Sequence, residues 1–510
     1  MRSRYDQLRR KLAQISDLGR ARALLAWDER TKMPAAGGAA RAEQLATLAR
    51  VRHERATDPA LGELLYELER STADSDPDSD ESAMVRMARR DFEKATRINP
   101  GLRAEMTRAA SLGEQAWEQA RANDDFAAYL PFLQRNIELV REFASLFIGW
   151  EGIARPYDAL LDEFEPGIRT DEVSELLGRL RSGLTPLVER ARARVPRSGA
   201  GAERAPLRGG IAIADQQRVC RELVAALPLR ADSWRLDSTV HPFAVAIGEG
   251  DIRVTTRYDE ADLATAVWSV LHECGHALYD SGVPRRLRRS PLGRPSSLGI
   301  HESQSRLWEN QVGRSEPFCR WLAPRLAGSL PGLRDLTPKG LHAAVNVIEP
   351  TLIRVEADEV TYNLHIALRF EVELELFEGG LDAADLPEAW REQTRNLLGL
   401  EVPSDSLGVM QDVHWSSGAF GYFPTYSLGN ILAAQLWERA AAELGSAETL
   451  DEHLAAGDFA PLHGWLAKTI FRHGGKLLPG EMIERSVGGL DPTALLRHLD
   501  VKVDTWLSGA

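Results

Sequence analysis

Apolar residues recur at helical spacing over most of this chain, and strand-like alternation is confined to one short stretch. Residues 1 to 70, 84 to 152, 172 to 196, 214 to 227, 258 to 280 and 338 to 378 are rich in Ala, Leu, Arg and Glu, and each predicts helix. Ser71 to Ser82 and Pro196 to Gly210, with their Ser, Asp, Gly and Pro, predict loops. Between Val240 and Thr256 the pattern changes period. Phe243, Val245 and Ile247 alternate before Gly248-Glu249-Gly250-Asp251, and Ile252, Val254 and Thr256 alternate after it, which predicts an antiparallel hairpin.

The next segment, Asp262 to Asp280, places Val267, Val270, Leu271, Cys274 and Leu278 on one stripe and so predicts a core helix. Asp259, Glu260 and Asp262 suit its N-terminus, and Ser281-Gly282 followed by Pro284 suits its end. Further on, Thr351 to about Glu378 predicts another helix. Arg354, Asp358 and Tyr362 would share one face of it, with an Arg354–Asp358 ion pair as one reading. The fold class expected is mainly α, with a small antiparallel sheet beside the Asp262–Asp280 helix.

Composition adds limits. With 510 residues, 44% hydrophobic and 27% charged, the chain reads as a soluble globular protein, either one domain or two subdomains. Its net charge of −13 forces no basic face, so nucleic acid is not an expected partner. Cys220, Cys274 and Cys319 form no disulfide framework and point to a reducing cytoplasm. The charged start, Met1 to Arg10, has no apolar core of a signal peptide. No run of 18 apolar residues predicts a membrane span.

The chemistry lies inside the core helix. His272-Glu273-Cys274-Gly275-His276 puts two imidazoles on one face a turn apart, where they can meet one metal ion. Glu273 then points at a water that the metal would activate. A catalytic zinc site takes three protein ligands. Glu302, 26 residues beyond His276 at the start of another predicted helix, is the candidate for the third, although a lone carboxylate at that distance also reads as a surface group. Cys274 turns away from the metal and reads as a buried filler, with a soft ligand or redox switch as the alternative.

Around this motif, His241-Pro242-Phe243, Asp251-Ile252-Arg253-Val254-Thr255, His301-Glu302-Ser303-Gln304, Ile353-Arg354-Val355-Glu356-Ala357-Asp358 and Gly408-Val409-Met410-Gln411-Asp412-Val413-His414-Trp415 occur in order. With Leu24-Leu25-Ala26-Trp27-Asp28 through Met33-Pro34, and Gly421-Tyr422-Phe423-Pro424-Thr425-Tyr426, the chain resembles the Taq-type metallocarboxypeptidases over nearly its whole length. The resemblance implies a deep active-site groove, an N-terminal helical lid over residues 1–152 and a catalytic core over 210–510. It also implies His272, His276 and Glu302 as metal ligands, zinc that cobalt can replace, and a homodimer. Its substrates would be peptides with a free C-terminus, cut with broad specificity and poorly next to proline.

The site roles follow partly from chemistry and partly from that resemblance. Glu273 is the general base and then the acid for the leaving amine. A phenol donates to a developing oxyanion without carrying charge, and Tyr422 and Tyr426 both qualify. By resemblance, related helical zinc peptidases favour Tyr426, with His414 binding substrate backbone or oxyanion. Trp415, Phe420 and Phe423 read as core. Arg253 and Arg354 suit a terminal carboxylate, and the resemblance adds His241 and Gln411 as pocket residues. Which arginine clamps the carboxylate stays open. Two alternatives remain: an endo-acting oligopeptidase on the same scaffold, and a non-catalytic helical interaction protein.

Overall fold

The computed structural model describes residues 2–192 and 204–508. Most of Pro196 to Gly210, one of the predicted loops, lies outside the described residues. The chain divides into two compact units, each assembled from three segments. The first takes Met1–Thr96, Gly201–Val345 and Ala433–Gly488; the second takes Arg97–Ala200, Asn346–Leu432 and Gly489–Ala510. Residues 1–152 are therefore shared between the two. Helices dominate both units, and among the described residues none is long and apolar enough to cross a membrane.

Predicted long helices are divided where the sequence supplies caps and prolines. The run from 1 to 70 is three helices, Arg2–Thr31, Gly38–Ala56 and Pro59–Thr72. Pro34 precedes the second, and the Asp58 side chain accepts from Ala60 N at 3.0 Å to start the third. The run from 84 to 152 breaks at Asn99-Pro100, where Asn99 Oδ1 accepts from Leu102 N at 2.8 Å, and again at Asp125.

The first unit holds the only sheet among the described residues. Three strands, β1 (Trp234–Ser238), β2 (Ala244–Gly248) and β3 (Asp251–Thr256), lie in the order β1-β3-β2. The β2–β3 hairpin is antiparallel as predicted, and Gly250 at φ 75° makes its turn. The sheet is nevertheless mixed, because β1 pairs parallel with β3 from Trp234↔Ile252 to Ser238↔Thr256. That corrects the expectation of an antiparallel sheet. Strand β1 carries Arg235 and Asp237, which pair with each other, so no apolar alternation announced it. The sheet packs on the helix Leu263–Gly282, where Thr256 Oγ1 donates to Ala266 O at 3.1 Å.

In the second unit, helices Pro100–Asn123, Phe126–Ser145, Thr170–Arg192, Tyr362–Glu378 and Leu386–Leu398 enclose an aromatic core that includes Phe143, Phe147, Phe370, Phe377 and Trp390. Here a second expectation fails. The stretch 338 to 378 is not one helix: Pro338–Val345 ends well before Tyr362–Glu378 begins. Pro350 cannot continue a helix, and Asp358 spends its carboxylate on Val360 N, Thr361 N and Thr361 Oγ1. Arg354 consequently sits on a 3-10 turn, Arg354–Glu356, and its carboxylate partner is Asp412 rather than Asp358.

Candidate metal centre and active site

The helix carrying the histidines, Leu263–Gly282, starts where Asp262 accepts from Ala264 N at 2.9 Å and buries Val267, Val270, Leu271, Cys274 and Leu278, the predicted stripe. After it, Ser297 caps the short helix Leu298–Arg306, which brings Glu302 back to the histidines. Glycine makes this approach possible. A Cβ on Gly275 would lie 2.4 Å from Gln304 O and 2.5 Å from Ser305 Cα, so the two backbones touch where the motif reads Cys-Gly. Gly275→Ala is therefore expected to push the helices apart. It should lower stability by about 1–3 kcal/mol and weaken metal retention, read by thermal unfolding and by chelator competition.

Glu302 Oε2 lies 3.6 Å from His272 Nε2 and 3.4 Å from His276 Nε2. One donor atom from each of the three residues lies within 4.8 Å of the others, the only such group among the described residues. Supporting contacts fix this set. His272 Nδ1 is 2.8 Å from Glu309 Oε2, which leaves Nε2 for a metal, as histidine ligands are usually held. Arg306 Nε donates to Glu302 Oε1 at 2.7 Å and so turns Oε2 toward the imidazoles. Glu309 lies on a π-helical turn, Leu307–Val312. Two imidazoles and a braced carboxylate fit a divalent cation.

Electrostatics separate the acids here. Burial opposes ionisation of Glu302, but His272 and Arg306 hold its carboxyl well below the usual range. Burial pushes Glu273, 6% exposed, up to about 7. Its Oε2 has no hydrogen-bond partner among the described residues. Burial also lowers His276 to about 4, keeping it neutral and able to ligate. Cys274 is fully buried and burial raises its thiol, in keeping with a filler.

The first unit also carries Arg253 and His241. Arg253, on β3, pairs through Nε and Nη2 with Asp251 and lies over the Trp27 ring at 4.6 Å. His241 is exposed between β1 and β2. The remaining predicted residues gather in the second unit. His414 Nε2 lies 3.3 Å from Tyr426 Oη, and its ring centroid is 5.0 Å from that of Tyr422. Burial lowers His414 to about 4, so it is neutral. Trp415, Phe420 and Phe423 are buried, as expected.

Arg354 donates to Asp412 Oδ1 from Nε at 3.1 Å and Nη2 at 2.8 Å, to Tyr362 Oη at 3.1 Å, and lies over the Tyr426 ring at 4.8 Å. Arg369 Nε donates to Asp412 Oδ2 at 2.7 Å. The amide of Gln411 is used internally: Oε1 accepts from Arg354 N and Arg369 Nη2, and Nε2 donates to the carbonyls of Leu352, Leu407 and Gly408. Sequence reasoning passed over Arg306, Glu309, Arg369 and Asp412. Arg306 and Glu309 follow Glu302 at i+4 and i+7, a helical repeat that could have flagged them.

Two histidines a turn apart, a carboxylate from the next helix and a buried glutamic acid between the histidines define a metal-dependent hydrolase on a helical frame. The chain belongs to the Carboxypeptidase Taq (M32) metallopeptidase family, whose model matches residues 7–503. It is 44% identical over 504 residues to thermostable carboxypeptidase 1 of Thermus thermophilus, with 97% of each chain covered. With carboxypeptidase 1 of Bacillus subtilis it shares 35% identity over 485 residues, covering 95% of this chain and 94% of the other. The crystal structure of M32 carboxypeptidase from Deinococcus radiodurans R1 matches with a TM-score of 0.93 at 37% identity, covering 99% of this chain and 100% of that one. The protein is thus a metallocarboxypeptidase, and the alternative of a non-catalytic interaction protein falls away.

Proposed function

We propose that the protein removes C-terminal residues stepwise from peptides with broad specificity, poorly next to proline, with Glu273 as general base and acid. The observation that carries this reading is the convergence of His272, His276 and Glu302, with the buried Glu273 between the histidines. Zinc suits two imidazoles and a carboxylate, and cobalt can replace it because that donor set is not selective. A divalent cation held there supplies polarisation of the attacking water and the scissile carbonyl. Glu273 takes a proton from the water and returns it to the leaving nitrogen. Tyr426, with Tyr422 and neutral His414 beside it, donates to the oxygen that gains negative charge as the carbonyl carbon becomes tetrahedral.

For the terminal carboxylate, charge balance supports the Arg354 region. Arg354 and Arg369 share the carboxylate of Asp412, so neither guanidinium has that ion-pair partner to itself. Arg253 is already paired with Asp251 and, with His241, supports substrate further along the chain. Gln411 acts by holding Arg354 in place. Peptides carrying a C-terminal amide are the test: cleavage is expected to fall at least about 100-fold against the free acid, the scale of losing a charged pair. Equal cleavage of both, with internal products by mass spectrometry, would install the endo-acting reading instead. Three buried free cysteines support a reducing cytoplasm, checked by fractionation of the native cells. The homodimer rests on the family resemblance, and sedimentation as a single chain would remove it.

A further inference from the structure

Glu373, on the helix Tyr362–Glu378, is 0% exposed, and the chemistry above makes no use of it. Three donors from three places converge on its carboxylate. Trp415 Nε1 donates to Oε1 at 2.6 Å, Tyr157 Oη to Oε2 at 2.6 Å, and Gly421 N to Oε2 at 2.8 Å. Trp415 directly follows His414, and Gly421 directly precedes Tyr422. The turn between them is built for this grip. Gly418 and Gly421 take φ 75° and 80°, and a Cβ on Gly421 would meet Leu160 C at 2.7 Å, in the same short helix, Pro156–Leu161, that carries Tyr157. One helical turn earlier, Arg369 holds Asp412 and Gln411. A single helix therefore holds the segment at 411–412, 415 and 421.

We propose that Glu373 is a positioning residue: it fixes both ends of the 415–421 turn and thereby the mutual placement of His414, Tyr422 and Tyr426. Packing alone does not call for it, since burying a carboxylate whose hydrogen-bond partners are all neutral is costly and an apolar side chain would fill the same space. The turn presents donors to both oxygen positions, and the ionised form of Glu373 accepts at both, although burial raises its carboxyl to about 7. A glutamine would set an NH2 group against one of the three donors.

The inference rests on the roles given to His414 and Tyr426 under Proposed function, and the test separates the two. Glu373→Gln is expected to retain its fold by circular dichroism and its full metal content, because the ligands lie in the other unit. Its kcat should fall about 10- to 100-fold, the scale of a small misplacement of reacting groups, with KM changed by less than about twofold. On a Tyr426→Phe background the same substitution should cost less than about threefold, because the hydroxyl whose placement against His414 it sets is gone. An undiminished cost there, or an unchanged kcat in folded Glu373→Gln, overturns the proposal. If Tyr426→Phe and His414→Ala each leave kcat at the wild-type value, the underlying reading fails and the proposal with it. Should Glu373→Gln not fold, Tyr157→Phe removes one donor and is expected to lower kcat about 3- to 10-fold; no loss overturns the proposal as well.

Discussion

Glu273→Gln is expected to lower kcat by about 10²- to 10⁴-fold, the range for loss of a positioned general base, while metal content and KM stay at wild-type levels. The amide has the shape of the acid, and Glu273 is not a member of the three-residue donor group, so nothing in the metal set changes. What is lost is the proton acceptor. Glu273 suits that task because burial lifts its carboxyl to about 7, near the pH at which a base both exists deprotonated and drives proton transfer. The sign in pH follows. The base must be ionised to act, so wild-type kcat/KM declines as pH falls below that value, and a cation at the site moves the decline to lower pH. Residual activity of Glu273→Gln should lack the acid limb. Metal analysis, single-substrate kinetics and a pH profile decide it; wild-type turnover with metal in place would remove Glu273 from the chemistry.

Much of this centre is legible in the sequence because it is local. Two histidines and a glutamate within five residues of an apolar-striped helix carry their geometry in the spacing, whereas the close backbone approach at Gly275 shows only in the structure. Glu302 needed the family resemblance as well, since nothing local says that its helix returns to the histidines. The contacts between distant segments were not legible. Asp412 and Arg354 are 58 positions apart, and the helical repeat through Arg354, Asp358 and Tyr362 suggested the wrong partner. Strand β1 was hidden for a related reason: its charged residues pair with one another, so a strand held by parallel backbone pairing lacked the apolar alternation that marks one. The family resemblance implies Gln411 as a pocket residue, whereas its amide is taken up by backbone and arginine partners.

Asp412→Asn is expected to carry the largest stability cost, about 3–5 kcal/mol, because it removes the counter-ion from a buried pair. Arg369 is fully buried, Arg354 nearly so, and Asp412 is the one carboxylate that both contact. A carboxamide keeps one acceptor oxygen and loses the charge, so the two guanidiniums lose the one carboxylate that pairs with both. In a unit of about 200 residues, the melting transition should fall by roughly 10 °C. The sign in pH is fixed by the direction of the shift. Burial acts against ionisation of Asp412, yet the two arginines hold it far below the ordinary value of about 4. Its stabilisation is then fully present above pH ~4 and is lost as pH falls through the lower folded-state value. Wild type and Asp412→Asn should differ by a constant amount from neutrality down to about pH 5 and approach each other only in stronger acid. Calorimetry across that range is the measurement. A difference that closes between pH 7 and 5 would mean that Asp412 is not held ionised by its arginines, and an unchanged melting temperature would mean that the pair contributes nothing to the second unit. The metal ligands lie in the first unit, so metal content is expected to survive the substitution, whereas binding of peptides with a free C-terminus should weaken as Arg354 loses its anchor.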